Sequence, residues 1–187
     1  MIEANVIRAF FAMLGVCLIT ACGAQNLAGP ETTFSAKNQE TLLIGGGTQS
    51  SSSLFGGCHC PYFAQVEEGS EKPTGQYYAF HSHGQNPRAY VVPAGYYVMY
   101  SWDDCTKRYH TTGPNLTLGL FADKSHNSFK GAPTFRFKAN PGEVLYLGHF
   151  NGSGFYDKSE DAKKLLATMP NVNGTLVFRA PEWDVKF

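Results

Sequence analysis

From Phe55 onward the chain is a series of short β-prone runs cut by turn-forming residues. CPYFAQV (60–66) precedes the polar turn EEGSEKPTG. QYYAFHS (76–82) leads to Gly84-Gln85-Asn86-Pro87, and RAYVV (88–92) leads to Pro93-Ala94-Gly95. YYVMYSW (96–102), LTLGLF (116–121), TFRFKA (134–139), EVLYLGHF (143–150) and GTLVFRA (174–180) follow. β-branched and aromatic residues favour a pleated, half-buried surface, and Gly and Pro supply the turn geometries between such runs. TFRFKA alternates: Phe135, Phe137 and Ala139 face one way, and Thr134, Arg136 and Lys138 the other, the period of a strand with one buried face. With Asn140-Pro141-Gly142 as its turn, it is expected to form a hairpin with EVLYLGHF. One helix is expected over 159–169. Ser159 is its cap, Glu160 and Asp161 fill the first turn, Ala162, Leu165, Leu166 and Met169 form the buried face, and Pro170 ends it. About seven to nine short strands at this spacing predict a mainly β fold: a single antiparallel β-sandwich over 55–187 with one short C-terminal helix.

The beginning of the chain has a different character. Glu3 and Arg8 flank the start of an apolar run from Ala9 to Ile19, and Thr20 and Ala21 close it before Cys22. An apolar stretch this short, ended by small residues, reads as a secretory signal over 1–21, whereas a membrane span needs about 20 apolar residues. Residues 22–54 then read as a flexible tether. Positions 23–40 are polar and aperiodic, TLLIG (41–45) reads as a short strand, and GGGTQSSSS (45–53) as a Gly/Ser loop.

Leu18-Ile19-Thr20-Ala21-Cys22 resembles the lipobox of bacterial lipoproteins: an aliphatic residue, two small ones, then cysteine. The resemblance implies diacylglycerol on the Cys22 sulfur, cleavage before Cys22, and acylation of the new amino group with palmitate or a similar chain. Two or three acyl chains hold a protein firmly, where one binds marginally. Gly23, in place of the aspartate that retains such proteins at the inner membrane, implies lipid anchorage at the cell outer membrane, facing the periplasm. Further on, YVVPAGYYVMYSW and FRFKANPGEVLYLGHF, followed by a short helix and a closing strand, are similar to small lipoprotein domains of the prealbumin-like or carboxypeptidase-regulatory-like sandwich type. That likeness spans about residues 85–180 and rests on turn and core residues, so it bears on fold rather than chemistry.

Fifteen basic and fifteen acidic residues are interspersed, for a formal charge of zero, so nucleic acid is not an expected partner. Of five cysteines, Cys17 leaves with the signal and Cys22 takes lipid. An oxidising compartment permits a disulfide between Cys105 and either Cys58 or Cys60, closing a loop of about 45 residues and adding about 3–4 kcal/mol.

The most suggestive chemistry lies in Cys58-His59-Cys60, His81-Ser82-His83, Cys105 and His110. His81 and His83 lie two apart on an expected strand, which puts both imidazoles on one face about 7 Å apart. With His59 or a neighbouring cysteine they could chelate Zn or Cu, although no C-x-x-C or H-x-x-x-H spacing is present and a disulfide would consume two thiols. Ser82 lacks the strand-to-helix elbow of a hydrolase nucleophile, and no catalytic set is assigned. Tyr77, Tyr78, Phe80, Tyr90, Tyr96, Tyr97, Tyr100 and Trp102 crowd three neighbouring segments. Alternation sends half of them inward and half outward, and Tyr78, Tyr97 and Trp102 are the candidate binding surface. The expectation is a non-enzymatic, lipid-anchored binding or structural module without a cofactor, whose partner is another envelope protein or the cell wall. A metal-binding lipoprotein using His59, His81 and His83 is the alternative.

Overall fold

The computed structural model describes residues 27–47, 49–50, 57–79, 86–103, 108–110 and 128–184. The expected signal, Cys22 and the expected strand 116–121 lie outside them. In chain order the strands are β1 (Leu27–Ala28), β2 (Phe34–Ser35), β3 (Glu40–Gly47), β4 (Gln49–Ser50), β5 (Gly57–Cys58), β6 (Cys60–Val66), β7 (Pro73–Ala79), β8 (Arg88–Pro93), β9 (Gly95–Asp103) and β10 (Arg108–His110). After these come β11 (Phe135–Ala139), β12 (Val144–Phe150), β13 (Phe155–Tyr156), helix α1 (Ser159–Leu166), β14 (Val172–Asn173), β15 (Leu176–Phe178) and β16 (Glu182–Trp183).

Two six-stranded sheets carry the fold. The first runs β1-β8-β3-β12-β13, with β15 also on β12. The second runs β16-β11-β9-β6-β7, with β10 also on β9. Side-chain alternation explains how they stack. Leu43, Tyr90, Val92, Leu145 and Leu147 from the first sheet meet Phe63, Tyr97, Met99, Phe135 and Phe137 from the second in a central core. Leu42, Ile44, Ala89, Val144 and Tyr146 point the other way and are covered by Phe34, Ala162 and Met169, with Leu165 and Leu166 packed alongside. Tyr62, Ala64, Val66, Val98 and Tyr100, on the far face of the second sheet, are covered by Phe129. Both sheets are therefore buried on both faces. This is why β12 is buried at all seven residues and β3 at seven of eight, in place of in-out alternation.

The domain begins earlier than expected. The stretch assigned to the tether holds the central strand β3, which pairs with β8 and β12. Gly45, Gly46 and Gly47, expected in a loop, continue β3 as buried residues. The sheets are also not purely antiparallel, because β12 runs parallel to both β3 and β15. The expected 134–150 hairpin does not form. β11 pairs with β9 and β16 in one sheet, while β12 belongs to the other. Asn140-Pro141-Gly142 arches between the layers. Gly142 has φ +69°, donates its N–H to the Glu40 carbonyl at 2.8 Å, and sits so close to Ala36 that an added Cβ would collide with that backbone.

The helix starts at the expected residue and ends at Leu166. Its opening turn is held by Asp157, whose Oδ1 accepts from the Ser159 N–H at 2.7 Å and also bonds the Ser159 hydroxyl, so Ser159 is not the cap. Met169 is buried just beyond the helix.

Arg136, expected on a solvent face, is 2% exposed. Its Nε and Nη2 donate to Glu71 Oε1 and Oε2 at 3.1 and 2.9 Å. Nη2 also donates to the carbonyls of Phe129 and Ala132, and Nη1 to that of Thr134. The guanidinium thus ties the 128–132 segment down over the second sheet, and all its charge is compensated. Removing one partner of such a buried pair strands the other. Arg136→Met is expected to cost about 3–5 kcal/mol in urea denaturation, and Glu71→Gln with Arg136→Met far less than the sum of the singles. Additive costs in that cycle would show the pair is not coupled.

Candidate functional site

The sandwich has two ends. At one, here the upper, lie Gly47, Arg88, Phe150 and the paired residues Cys60 and Asp103. At the lower lie Glu40 paired with Pro93, Val66 paired with Tyr96, and Gly142. Of the chemistry-bearing residues singled out in the sequence, those within the described residues lie at the upper end. His59 and Cys60 open β6 there, Trp102 lies opposite Pro61, and His110 on β10 pairs with Ser101. β7 reaches the same end, with Ala79 opposite Tyr62. His81, His83 and Cys105 lie outside the described residues, as does the side chain of Cys58, so the proposed metal set and the disulfide stand on sequence spacing alone.

His59 is half-buried. Its ring centroid lies 5.6 Å from that of Trp102 at an interplanar angle of 59°. Trp102 rests edge-on against buried Phe150, centroids 5.5 Å apart. Gly152 closes the other side: an added Cβ would sit 3.2 Å from both Cε1 and Nδ1 of His59 and 3.5 Å from the Trp102 ring. The turn is fixed by Asn151, whose Oδ1 accepts from Ser153 N, Ser153 Oγ and Gly154 N at 2.9–3.0 Å. His59 Nδ1 is buried without a hydrogen-bond partner. The result is a half-buried aromatic ledge that encloses one unsatisfied polar atom, its rings suited to stacking. Among the described residues no three His, Cys, Asp or Glu side chains are grouped to hold a metal ion.

No family model, curated protein or solved structure matches this chain.

The aromatic surface expected from Tyr78, Tyr97 and Trp102 is not a surface. Tyr97 is wholly buried, stacked on Phe137 at 5.0 Å, and its hydroxyl donates to the Pro93 carbonyl at 2.6 Å. Tyr78 and Trp102 are half-buried against the same central core. The outward set is Tyr62, Tyr77, Tyr96 and Tyr100, with Tyr62 and Tyr100 buried under the covering segment. The face expected to be outward is thus the inward one for Tyr78, Tyr97 and Trp102, and a register shift in the β6–β9 pairing puts Trp102 on the same side as Tyr97, against simple alternation.

One node escaped the sequence reading. Tyr146 and His149 would face opposite ways on a regular strand, but a register shift between them in the pairing of β12 with β3 brings the two side chains together. Gly148, at φ +97°, permits the shift and was the available signal. Tyr146 Oη accepts from the Lys158 N–H at 3.1 Å and shares a hydrogen bond with His149 Nδ1 at 2.7 Å. Gly46 leaves room for the ring, since an added Cβ would lie 2.9 Å from His149 Nε2. Gly46→Ala should destabilise the domain by about 1–3 kcal/mol in chemical denaturation. Most of that cost should disappear in a His149→Ala background, and an equal cost there would refute the contact.

Burial pushes the hydroxyls of Tyr97 and Tyr146 well above the ordinary tyrosine range, and raises those of Tyr77, Tyr78 and Tyr90. Folded-state values above the unfolded one mean this stabilisation is complete below about pH 10 and is lost as pH climbs beyond it. Alkaline titration followed at 295 nm should show these phenols ionising only together with loss of the circular-dichroism signal. Reversible ionisation of all ten tyrosines in the folded protein would contradict the burial.

Proposed function

We propose that this chain is a lipid-anchored protein of the cell envelope, held at the periplasmic face of the outer membrane, and that its β-sandwich is a non-enzymatic binding or structural module. The observation that carries the reading is Leu18-Ile19-Thr20-Ala21-Cys22, an apolar run ending in small residues and a cysteine, followed closely by a domain whose first strand starts at Leu27. No helix among the described residues is long and apolar enough to cross a membrane. The non-enzymatic part is supported by how the buried polar side chains are used. His149 is engaged by Tyr146 on the same strand, while Glu71 with Arg136 and Glu143 with Arg179 at 2.7 Å join separate parts of the fold. The half-buried ledge of His59 and Trp102 is the part of the upper end that this reading assigns to contact with another envelope protein or the cell wall.

Expression with a radiolabelled fatty acid tests the anchor. The wild-type chain should take up label and shift on globomycin treatment, and Cys22→Ser should lose both label and membrane association. Unchanged processing and labelling in Cys22→Ser would refute the reading.

A further inference from the structure

We infer that the lower part of the sandwich, on its β1 side, rests on the bilayer surface, with Leu27 at the lipid interface and the His59–Trp102 ledge turned away from it. This rests on the lipid-anchor reading and adds an orientation to it.

The geometry follows from chain length and strand direction. Five peptide steps separate Cys22 from Leu27. A fully extended chain covers at most about 3.6 Å per residue, so a Cys22 fixed at the acyl boundary keeps Leu27 within about 18 Å of it. β1 is the edge strand of its sheet, with Leu27 opposite Tyr90 and Ala28 opposite Ala89. β8 descends from Arg88 at the upper end to Pro93 at the lower, and β1 is antiparallel to it. Followed back from Ala28 to Leu27, the chain is therefore heading for the lower end. Leu27 sits level with Tyr90, three positions above Pro93, or about 10 Å at the rise of a strand. The anchor thus reaches no more than about 8 Å past the lower end of the sheet. Gly47 at the upper end stands four positions above Leu43, the partner of Tyr90, about 14 Å the other way, so the same reach extends only about 4 Å past that end and requires the chain to reverse its direction before Leu27.

A second observation agrees. Leu27 is 54% exposed, on the strand nearest the anchor, while its neighbour Ala28 packs against the helix-side core. The charges exposed at the lower end are mixed: Lys37, Lys72 and Lys138 stand among Glu40, Glu67 and Glu68. The short connection and Leu27 therefore hold the surface at the bilayer, with little help from anionic headgroups.

Trp emission quenching by brominated lipid provides the test. Full-length lipidated protein is reconstituted in phosphatidylethanolamine–phosphatidylglycerol vesicles with and without brominated acyl chains. W183F reports on Trp102 alone, and L27W/W183F adds a reporter at position 27. The added emission at 27 should fall at least twofold with bromolipid at both low and high salt, and the Trp102 emission should not change. A flexible 20-residue insertion between Ala24 and Gln25 should abolish quenching at 27. If the protein floats with the vesicles and 27 is not quenched, or Trp102 is quenched equally, the orientation is wrong while the anchor stands. Quenching that survives the insertion overturns the role of the short connection. Protein whose intact mass shows no lipid and which does not float removes the anchor and the orientation together.

Discussion

The parallel contact between β3 and β12 organises the molecule. These strands lie side by side in the middle of the first sheet, and every other layer is laid against them. On one face Leu43, Leu145 and Leu147 meet the second sheet; on the other Leu42, Ile44, Val144 and Tyr146 meet the helix and its flanks. A strand buried on both sides must be apolar almost throughout and must be approached closely by its neighbours. TLLIG and VLYLGHF meet the first demand, and Gly46 and Gly148 meet the second by giving up side chains where His149 and Tyr156 come near.

This double burial also explains what could be seen in the sequence. The span of β6 was legible to the residue, and β8, β9, β12 and α1 nearly so, because local composition and turn residues mark where an element starts and stops. Which way side chains point was legible too, as Phe135, Phe137 and Ala139 show. Partnership was not. Nothing local in TFRFKA says that its neighbour is YYVMYSW rather than EVLYLGHF, since pairing is decided by fitting whole layers together. The same gap hid the Glu71–Arg136 bond, made across 65 positions, and made Tyr97 look available when it is core. At the upper end His59 meets Trp102, two residues that the sequence had placed in separate groups, because a contact between side chains of different strands is not encoded in local spacing.

Polar groups inside the sandwich behave as fasteners. Thr41 Oγ1 donates to the Asn140 carbonyl at 2.6 Å, linking β3 to the arch that carries the chain between layers. Tyr97 reaches the Pro93 carbonyl at the turn joining the two sheets. Arg179 spans from Glu143 to the Lys138 carbonyl, both at 2.7 Å, where the chain crosses back from β15 to β16. Each closes a place where the backbone leaves one sheet for the other, where ladder hydrogen bonds run out and unsatisfied carbonyls would otherwise be buried.

The central pairing has a consequence for how the molecule comes into being. Leu42 lies beside Val144, a partner synthesised about a hundred residues later, and contacts of such long range are formed slowly. A chain emerging from its amino end presents TLLIG, apolar on both sides, well before anything exists to cover it. Until β12 arrives that segment is an open edge for any other extended chain, and the crowding of glycines directly after it weakens its hold on a wrong partner. The strand that makes the finished sandwich cohesive is thus the one most in need of protection while the sandwich is unfinished.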